Sequence, residues 1–148
     1  MRIKITHDVL EPRALEQELA APTNGAVVTF QGVVRNHAQG RSVAFLEYDA
    51  YAPMAEKILA QIIGEVAERW SIQEMGVWHR IGRLEIGETS LLVVVCSPHR
   101  AEAFEAIRYA VDRIKAIVPI WKRETAEDGE SWVEGDVLVP SGEHTHAS

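Results

Sequence analysis

The sequence predicts an α+β domain with a mostly antiparallel sheet, about three helices and a small C-terminal β-hairpin. Three patterns support this fold class. Apolar residues recur at four-residue steps from Pro53 to Trp70, which is typical of an amphipathic helix. Thr89 to Cys96 contains an unbroken apolar run, as expected of a central strand covered on both faces. Ala26 to Val34 and Val43 to Tyr48, joined by a polar loop, are interpreted as an antiparallel pair of strands.

Local signals predict the shorter elements near the N-terminus and in the middle of the chain. Met1 to Thr6 alternates polar and apolar residues and indicates a short strand. Pro12 suits the first turn of a helix that carries Leu15 and Leu19. Gly76 to Ile81 indicates another strand, which a glycine-bounded connection joins to the central strand.

A second long helix is predicted to start at Ser97 and Pro98, a capping hydroxyl followed by a proline in the first turn. It runs to about Lys115 and must end at or before Val118, because Pro119 disfavours a helical conformation at the residue before it. On this helix Lys115 leans toward the buried side, so its amine either snorkels to water or is partly desolvated and acts as a neutral base or nucleophile. The predicted buried stripe consists of Phe104, Ile107, Val111 and Ile114.

The end of the chain predicts a small hairpin. Ile120 to Glu124 and Ser131 to Glu134 indicate two strands around a turn that contains Gly129. Trp121 and Trp132 are expected to pack within this hairpin and to serve its structure.

The composition sets limits on domain number, location and partners. The chain has 148 residues, 47% of them hydrophobic, so residues 1–139 are assigned to a single domain and residues 140–148 to a loose tail. No apolar run is long enough to span a bilayer, and the N-terminus lacks the apolar core of a signal peptide. A single cysteine favours a reducing cytoplasm. The net charge of −7 argues against anionic membranes and against general affinity for nucleic acid.

The stretch from His99 to Arg123 is basic although the chain as a whole is acidic. It holds six basic residues and three acidic ones, a local charge of +3. Such a patch indicates a specific anion site, and the alternative is a solvated helix face with ordinary ion pairs. The basic residues are Arg100, Arg108, Arg113, Lys115, Lys122 and Arg123.

Five residues are candidates for the anion site. Lys115 and Lys122 lie on either side of the proline corner, where two amines can converge. His99 and Arg100 open the second long helix, and amides at a helix N-terminus favour phosphate together with an imidazole and a guanidinium. Arg35 lies at a strand end, where its alternative reading is an exposed loop arginine.

The length of the helix constrains how these residues combine. Arg100 and Lys115 are separated by about 22 Å at about 1.5 Å per residue, so they cannot easily meet within one chain. Either there are two sites, or a two-fold dimer brings the helix start of one subunit to the lysine corner of the other. We predict the dimer.

Motifs for metals and common cofactors are absent from the sequence. It contains no CxxC pair, HExxH, EF-hand loop, Walker loop, GxGxxG or GxSxG. Cys96 and His99 are three residues apart, but Cys96 ends an apolar strand, so inert packing is favoured over a cysteine nucleophile. Neither a metal nor a cofactor is therefore expected.

Four ordered motifs resemble the large, catalytic subunits of molybdopterin synthase. They are GAVVTFQGVVRNH from Gly25, HRIG from His79, SPHRAEAFEA from Ser97 and IKAIVPIWKRE from Ile114, followed by Trp132-Val133-Glu134. The resemblance implies an α/β-hammerhead type of fold and one catalytic domain. It implies a sulfurtransferase that converts cyclic pyranopterin monophosphate to molybdopterin. Sulfur would come from the thiocarboxylated C-terminal glycine of a small ubiquitin-like carrier subunit, in a heterotetramer built on a homodimer.

The same resemblance implies roles for individual residues. Lys115 and Lys122 would be catalytic, with the His-Arg pair supplied by the neighbouring subunit. Gly135-Asp136 departs from the pattern, because related chains carry a basic residue near that position. The alternative functions are a non-catalytic dimeric module that binds an anion or nucleotide, and a scaffold that binds only the carrier. The implied substrate-binding residues are Val33, Val34, Arg35, His99, Arg100, Lys115, Lys122, Arg123 and Glu124.

Overall fold

The fold is that of a computed structural model in which residues 1–38 and 40–134 are described. These ranges form nine strands and three helices. In chain order the elements are β1 (Ile3–Thr6), α1 (Pro12–Glu18), β2 (Ala26–Val33), β3 (His37–Ala38), β4 (Arg41–Ala50), α2 (Ala52–Trp70), β5 (Glu74–Arg80), β6 (Gly82–Glu85), β7 (Thr89–Ser97), α3 (Arg100–Ile117), β8 (Ile120–Ala126) and β9 (Ser131–Glu134).

The strands form two sheets. The first has the order β1-β5-β7-β2, and within it only the β1–β5 pair is parallel. The second sheet has five strands. Its strand β4 pairs with β8 along one edge and with β3 and β6 along the other, and β9 pairs with the far edge of β8. The predicted α+β class with mostly antiparallel pairing and three helices is confirmed.

The central strand β7 is covered on both faces, as its apolar run predicted. Leu91, Val93 and Val95 face a core formed with α2 and α3. Leu92 and Val94 alternate with them and face α1 on the other side. Side chains of successive strand residues point to opposite faces, so one unbroken apolar strand supplies two separate cores.

The predicted pairing of β2 with β4 is wrong. The strand β2 pairs antiparallel with β7, from Ala26 opposite Ser97 to Gly32 opposite Leu91. The strand β4 instead pairs with β8 and β6 in the second sheet. A fully apolar strand such as β7 is expected to be central, with a paired strand on each edge. Those two strands are β2 and β5. The polar loop forms its own small hairpin, because His37 pairs back with Ser42.

The start and the buried face of α3 differ from the prediction. Arg100 is its first residue and His99 its N-cap, so Ser97 does not cap the helix. The Ser97 hydroxyl instead accepts the His99 amide at 3.3 Å. Phe104 is 58% exposed, because small alanines form most of the contact surface. Lys115 is also exposed, so the expectation that it leans toward the buried side is wrong. The buried residues are Ala103, Ala106, Ile107, Ala110 and Ile114.

A polar tie holds α2 and α3 together at their outer surface. Glu65 accepts hydrogen bonds from the Tyr109 hydroxyl at 2.6 Å and from the Arg113 guanidinium at 2.9 and 3.0 Å. The Arg113 hydrogen bond is the main reason that the pKa of Glu65 falls to about 2. The carboxylate thus stays charged in all but strong acid.

The C-terminal hairpin is present, but its tryptophans lie on opposite faces of the sheet. Trp121 contacts the Tyr51 ring at 5.0 Å, at the start of α2. Trp132 lies opposite Glu124 and packs on the core of the second sheet, with the Arg41 guanidinium 4.2 Å above its ring. Both tryptophans therefore make structural contacts, but they do not pack against each other.

The limits of the described residues bear on two further predictions. The tail at residues 140–148 and the Gly135-Asp136 departure both lie outside them. No helix in the described part of the chain is long and apolar enough to cross a membrane.

Candidate active site

The corner between α3 and β8 is built as the proline predicted. The helix ends at Ile117, and Val118 has extended backbone angles. The Pro119 carbonyl accepts the Tyr51 amide at 3.2 Å, which ties the corner to the start of α2. Lys115 lies just before this corner and Lys122 just after it, so the backbone separates the two lysines as expected.

Lys122 is oriented by a buried carboxylate. Its Nζ lies 3.6 Å from Oε1 of Glu124, which is two residues along β8 and therefore on the same face. The Glu124 side chain is 2% exposed and that of Lys122 is 27% exposed. A charge buried to this extent is costly unless it is paired, so the pair holds the ammonium group at the rim of the second sheet. Arg123 points to the opposite face and is exposed.

Tyr48, on the strand that neighbours β8, lies beside Lys122, and His79 on β5 lies behind Tyr48. Tyr48 on β4 lies directly opposite Lys122 on β8. The Tyr48 ring meets the His79 ring edge-on, with centroids 5.0 Å apart. His79 is 5% exposed, and its Nδ1 lies 2.8 Å from the Arg80 carbonyl oxygen, so Nδ1 carries the proton. The sequence motif HRIG includes His79, but the strand register that brings Tyr48 to Lys122 is not visible in the sequence.

Burial lowers the pKa of His79 from 6.5 to about 4, and this predicts an acid-sensitive fold. Because the unfolded chain binds more protons between these values, the free energy of unfolding falls as the pH drops through that window. We expect a loss of about 2 kcal/mol between about pH 7 and about pH 5, measured by urea unfolding.

A matched variant separates His79 from other titrating groups. His79→Gln cannot titrate, so its unfolding free energy should change far less between the same two pH values. Glu65 does not interfere, because its carboxylate loses stabilisation only as the pH falls from 4.5 toward about 2. An equal slope in both proteins would contradict the assignment to His79.

The end of β2 is anchored to the turn before β7. The Val34 amide donates to the Glu88 carbonyl at 3.0 Å, and the Val34 carbonyl accepts the Gly87 amide at 2.9 Å. Val34 is 3% exposed and packs in the same core that Tyr48 contacts. Val33 and Arg35, on either side of it, are exposed. The core of the second sheet therefore connects the end of β2, next to Arg35, with Tyr48, which lies opposite Lys122 on β8.

The start of α3 has the properties of an anion site, but it is remote from the lysine corner. His99 is the N-cap with extended backbone, and no side chain caps the first turn. Amides left open in this way attract anions. His99 and Arg100 are both exposed. One continuous helix separates them from Lys115 by about 22 Å, so a single protomer does not bring the two groups together.

Gly25 sets the position of the loop that carries His99. Its amide donates to the Ser97 carbonyl at 3.0 Å, and a Cβ at this position would lie 2.6 Å from the Pro98 carbonyl oxygen. We expect Gly25→Ala to push this loop outward. In steady-state assays of the expected sulfur transfer, kcat/KM should fall about tenfold or more. The control is Gly64→Ala at an exposed position of α2, where an added Cβ would have nothing within 4 Å, and it should leave kcat/KM unchanged. Equal activity of both variants would show that the loop position is unimportant.

Metal ligands do not cluster in the described ranges. No group of three or more His, Cys, Asp or Glu side chains there could hold a metal ion. Cys96 is buried, and burial raises the pKa of its thiol, which suits packing rather than nucleophilic chemistry. The candidate residues themselves supply amines, a carboxylate, guanidinium groups and the imidazole of His99.

The fold and the basic corner define an α+β protein suited to an anionic substrate, and comparison with known proteins gives the family. The family model described as MoaE protein matches residues 5–117. A molybdopterin synthase catalytic subunit of Halalkalibacterium halodurans is 49% identical over 86% of this chain and 83% of its own length. Another from Bacillus subtilis is 45% identical over 93% of this chain and 87% of its own.

A solved structure agrees with these relatives. The crystal structure of molybdopterin synthase from Staphylococcus aureus has a TM-score of 0.87 and 43% identity, covering 92% of this chain and 98% of that one. The chain therefore belongs to the MoaE protein family. The expected enzyme function, that of the catalytic subunit of molybdopterin synthase in molybdenum cofactor synthesis, is confirmed, and a non-catalytic anion-binding module is not favoured.

Proposed function

We propose that this chain transfers sulfur from the thiocarboxylated C-terminal glycine of a small ubiquitin-like carrier to cyclic pyranopterin monophosphate, giving molybdopterin. One observation carries the assignment of the site. Lys122 is held by the buried carboxylate of Glu124 beside the same corner that presents Lys115. A fixed ammonium group and an exposed amine on either side of one corner suit a reaction in which an anionic sulfur attacks and negative charge develops on oxygen.

The chemical steps need no oxidant. In each addition the thiocarboxylate sulfur forms a bond to a carbon of the substrate whose bond to oxygen breaks, and a thioester with the carrier results. The displaced oxygen stays on the phosphate in one addition, which opens the phosphate ring, and leaves as water in the other. Water then cleaves the bond between the carrier's acyl carbon and this sulfur, which leaves a carboxylate on the carrier and a thiolate on the pterin. Two such additions give the dithiolene, and the cyclic phosphate opens in the same sequence.

The two lysines have different environments and hence different tasks. Lys122, paired with Glu124, stays in place and stabilises negative charge as it develops. Lys115 is exposed, where the carrier's C-terminus can reach it, so it moves protons at the attacked centre or accepts the acyl group transiently. Arg35 and Arg123, both exposed, would bind the phosphate and the pterin.

The length of α3 supports a dimeric assembly. His99 and Arg100 would come from a second protomer and close the anion site over the lysine corner. The homodimer would bind two carriers and form a heterotetramer. We place this assembly in the cytoplasm, where a single free cysteine is stable.

A sulfur-transfer assay tests the function. Purified protein is mixed with thiocarboxylated carrier and cyclic pyranopterin monophosphate, and the products are identified by mass spectrometry. We expect pterin to be consumed and the carrier to be released with a carboxylate. Binding of both molecules without turnover would indicate a sensor, and binding of the carrier alone would indicate a scaffold.

A further inference from the structure

We propose that Tyr48 is a positioning residue for Lys122 and that its ring, backed by His79, forms the wall that keeps the lysine stem at the rim of the second sheet. The inference rests on the proposed catalytic role of Lys122. Tyr48 on β4 and His79 on β5 thereby join a site that the sequence located at a strand end, at the start of α3 and at the corner between α3 and β8.

The strand register places Tyr48 against Lys122. The two residues are Cα partners in the antiparallel pair of β4 and β8. Side chains of such partners share one face and have Cβ atoms about 5 Å apart. Glu124 lies on the same face, opposite Leu46. The lysine stem is therefore bordered by an aromatic ring beside it and by a buried carboxylate further along its own strand.

Tyr48 has little freedom to move away from this position. Its ring meets the His79 ring at an interplanar angle of 67° with centroids 5.0 Å apart. His79 is itself fixed, because it is buried and its Nδ1 donates to the Arg80 carbonyl oxygen. Leu46 and Leu84 extend the same face as buried neighbours. A ring backed in this way acts as a rigid wall for a flexible lysine.

The His79 imidazole, behind Tyr48, does not compete with Lys122 for the Glu124 carboxylate. With a pKa of about 4, His79 is uncharged near neutral pH. The adjacent cation, Arg80, is directed elsewhere, since its guanidinium donates to Glu88 at 3.0 Å and to the His7 carbonyl at 3.2 Å. Neither His79 nor Arg80 thus competes with Lys122, whose Nζ lies 3.6 Å from the buried carboxylate.

Chemical labelling of Lys122 tests the wall without relying on activity. The folded protein is treated with a limiting amount of acetic anhydride, and acetylation of Lys122 is measured by mass spectrometry against Lys57, an exposed lysine on α2. We expect Tyr48→Leu and Tyr48→Thr to raise the relative rate at Lys122 about fivefold, because the lysine gains freedom and access. Tyr48→Phe keeps the ring, so its Lys122 should be acetylated at the same relative rate as in the unsubstituted protein.

Two controls make the result decisive. Lys4, whose Nζ lies 3.8 Å above the Trp78 ring in the first sheet, should label equally in every variant, which shows that the fold is intact. The use of two ring-free substitutions means that failure of one to fold still leaves a test. Unchanged labelling of Lys122 in a folded ring-free variant, or an equal rise in Tyr48→Phe, would overturn the proposal.

An activity measurement then separates this inference from the proposed function. In the sulfur-transfer assay, Tyr48→Leu should lower kcat about fivefold with KM nearly unchanged, and Tyr48→Phe should restore kcat. If the unmodified protein transfers no sulfur, the proposed function fails while the labelling result still decides the role of Tyr48. If labelling changes but kcat does not, the wall exists without positioning a catalytic group, and the inference fails on its own.

Discussion

Replacing Lys115 with alanine is expected to lower kcat for sulfur transfer by about 10²- to 10⁴-fold, the range typical for loss of a group that transfers protons in the transition state. The fold should survive, because Lys115 is exposed near the end of α3. Single-turnover assays with thiocarboxylated carrier measure the rate. Binding of carrier and pterin, measured separately, should remain detectable.

The control for this prediction is Lys57→Ala, which removes an exposed lysine from α2 and should change neither rate nor binding. Loss of binding in parallel with loss of turnover at Lys115 would mean that the residue contributes only to affinity. An unchanged kcat would remove Lys115 from the catalytic step altogether.

Lys115 gives a clearer test of catalysis than Lys122. Lys122→Ala would leave the carboxylate of Glu124, which is 2% exposed, without its lysine partner at 3.6 Å. Breaking a buried pair by removing one partner destabilises a protein strongly, so a loss of activity at Lys122 mixes chemistry with folding. Lys122→Arg, which keeps the charge, is the better variant there.

Patterns confined to one element predicted that element well. The four-residue periodicity predicted a helix from Pro53 to Trp70, and α2 spans Ala52–Trp70. The apolar run predicted that β7 is central and covered on both faces, and it is. The proline rule located the end of α3 before Val118. Each of these signals depends only on neighbouring residues, so a single sequence contains it.

Features that depend on distant partners were not predicted. The sequence contains nothing that tells β2 to pair with β7 rather than with β4, since both pairings give plausible strands. The helix wheel of α3 gave weight to Phe104, whereas the packed face consists largely of alanines, whose small size allows close approach. The same limitation hid Tyr48, because its place beside Lys122 depends on the register of strands far apart in the chain.

Two inactive variants are expected to recover activity when mixed, if the anion site forms between protomers. His99→Ala and Lys115→Ala each remove one half of the site, and α3 keeps these halves about 22 Å apart within one chain. After random exchange in an equal mixture, half of the dimers contain one protomer of each kind. Each such dimer has one intact site and one doubly altered site, so we expect about a quarter of the unmodified activity.

A second mixture provides the matched control. Lys115 and Lys122 flank one corner of the same protomer, so every site formed by Lys115→Ala and Lys122→Arg protomers still lacks one of the two lysines. No recovery above the activity of the separate Lys122→Arg protein is expected there. Subunit exchange is verified in both mixtures by native mass spectrometry of mass-tagged chains. Recovery in neither mixture despite exchange would place His99 outside the site, and equal recovery in both would show that exchange restores folding rather than completing a site shared between two protomers.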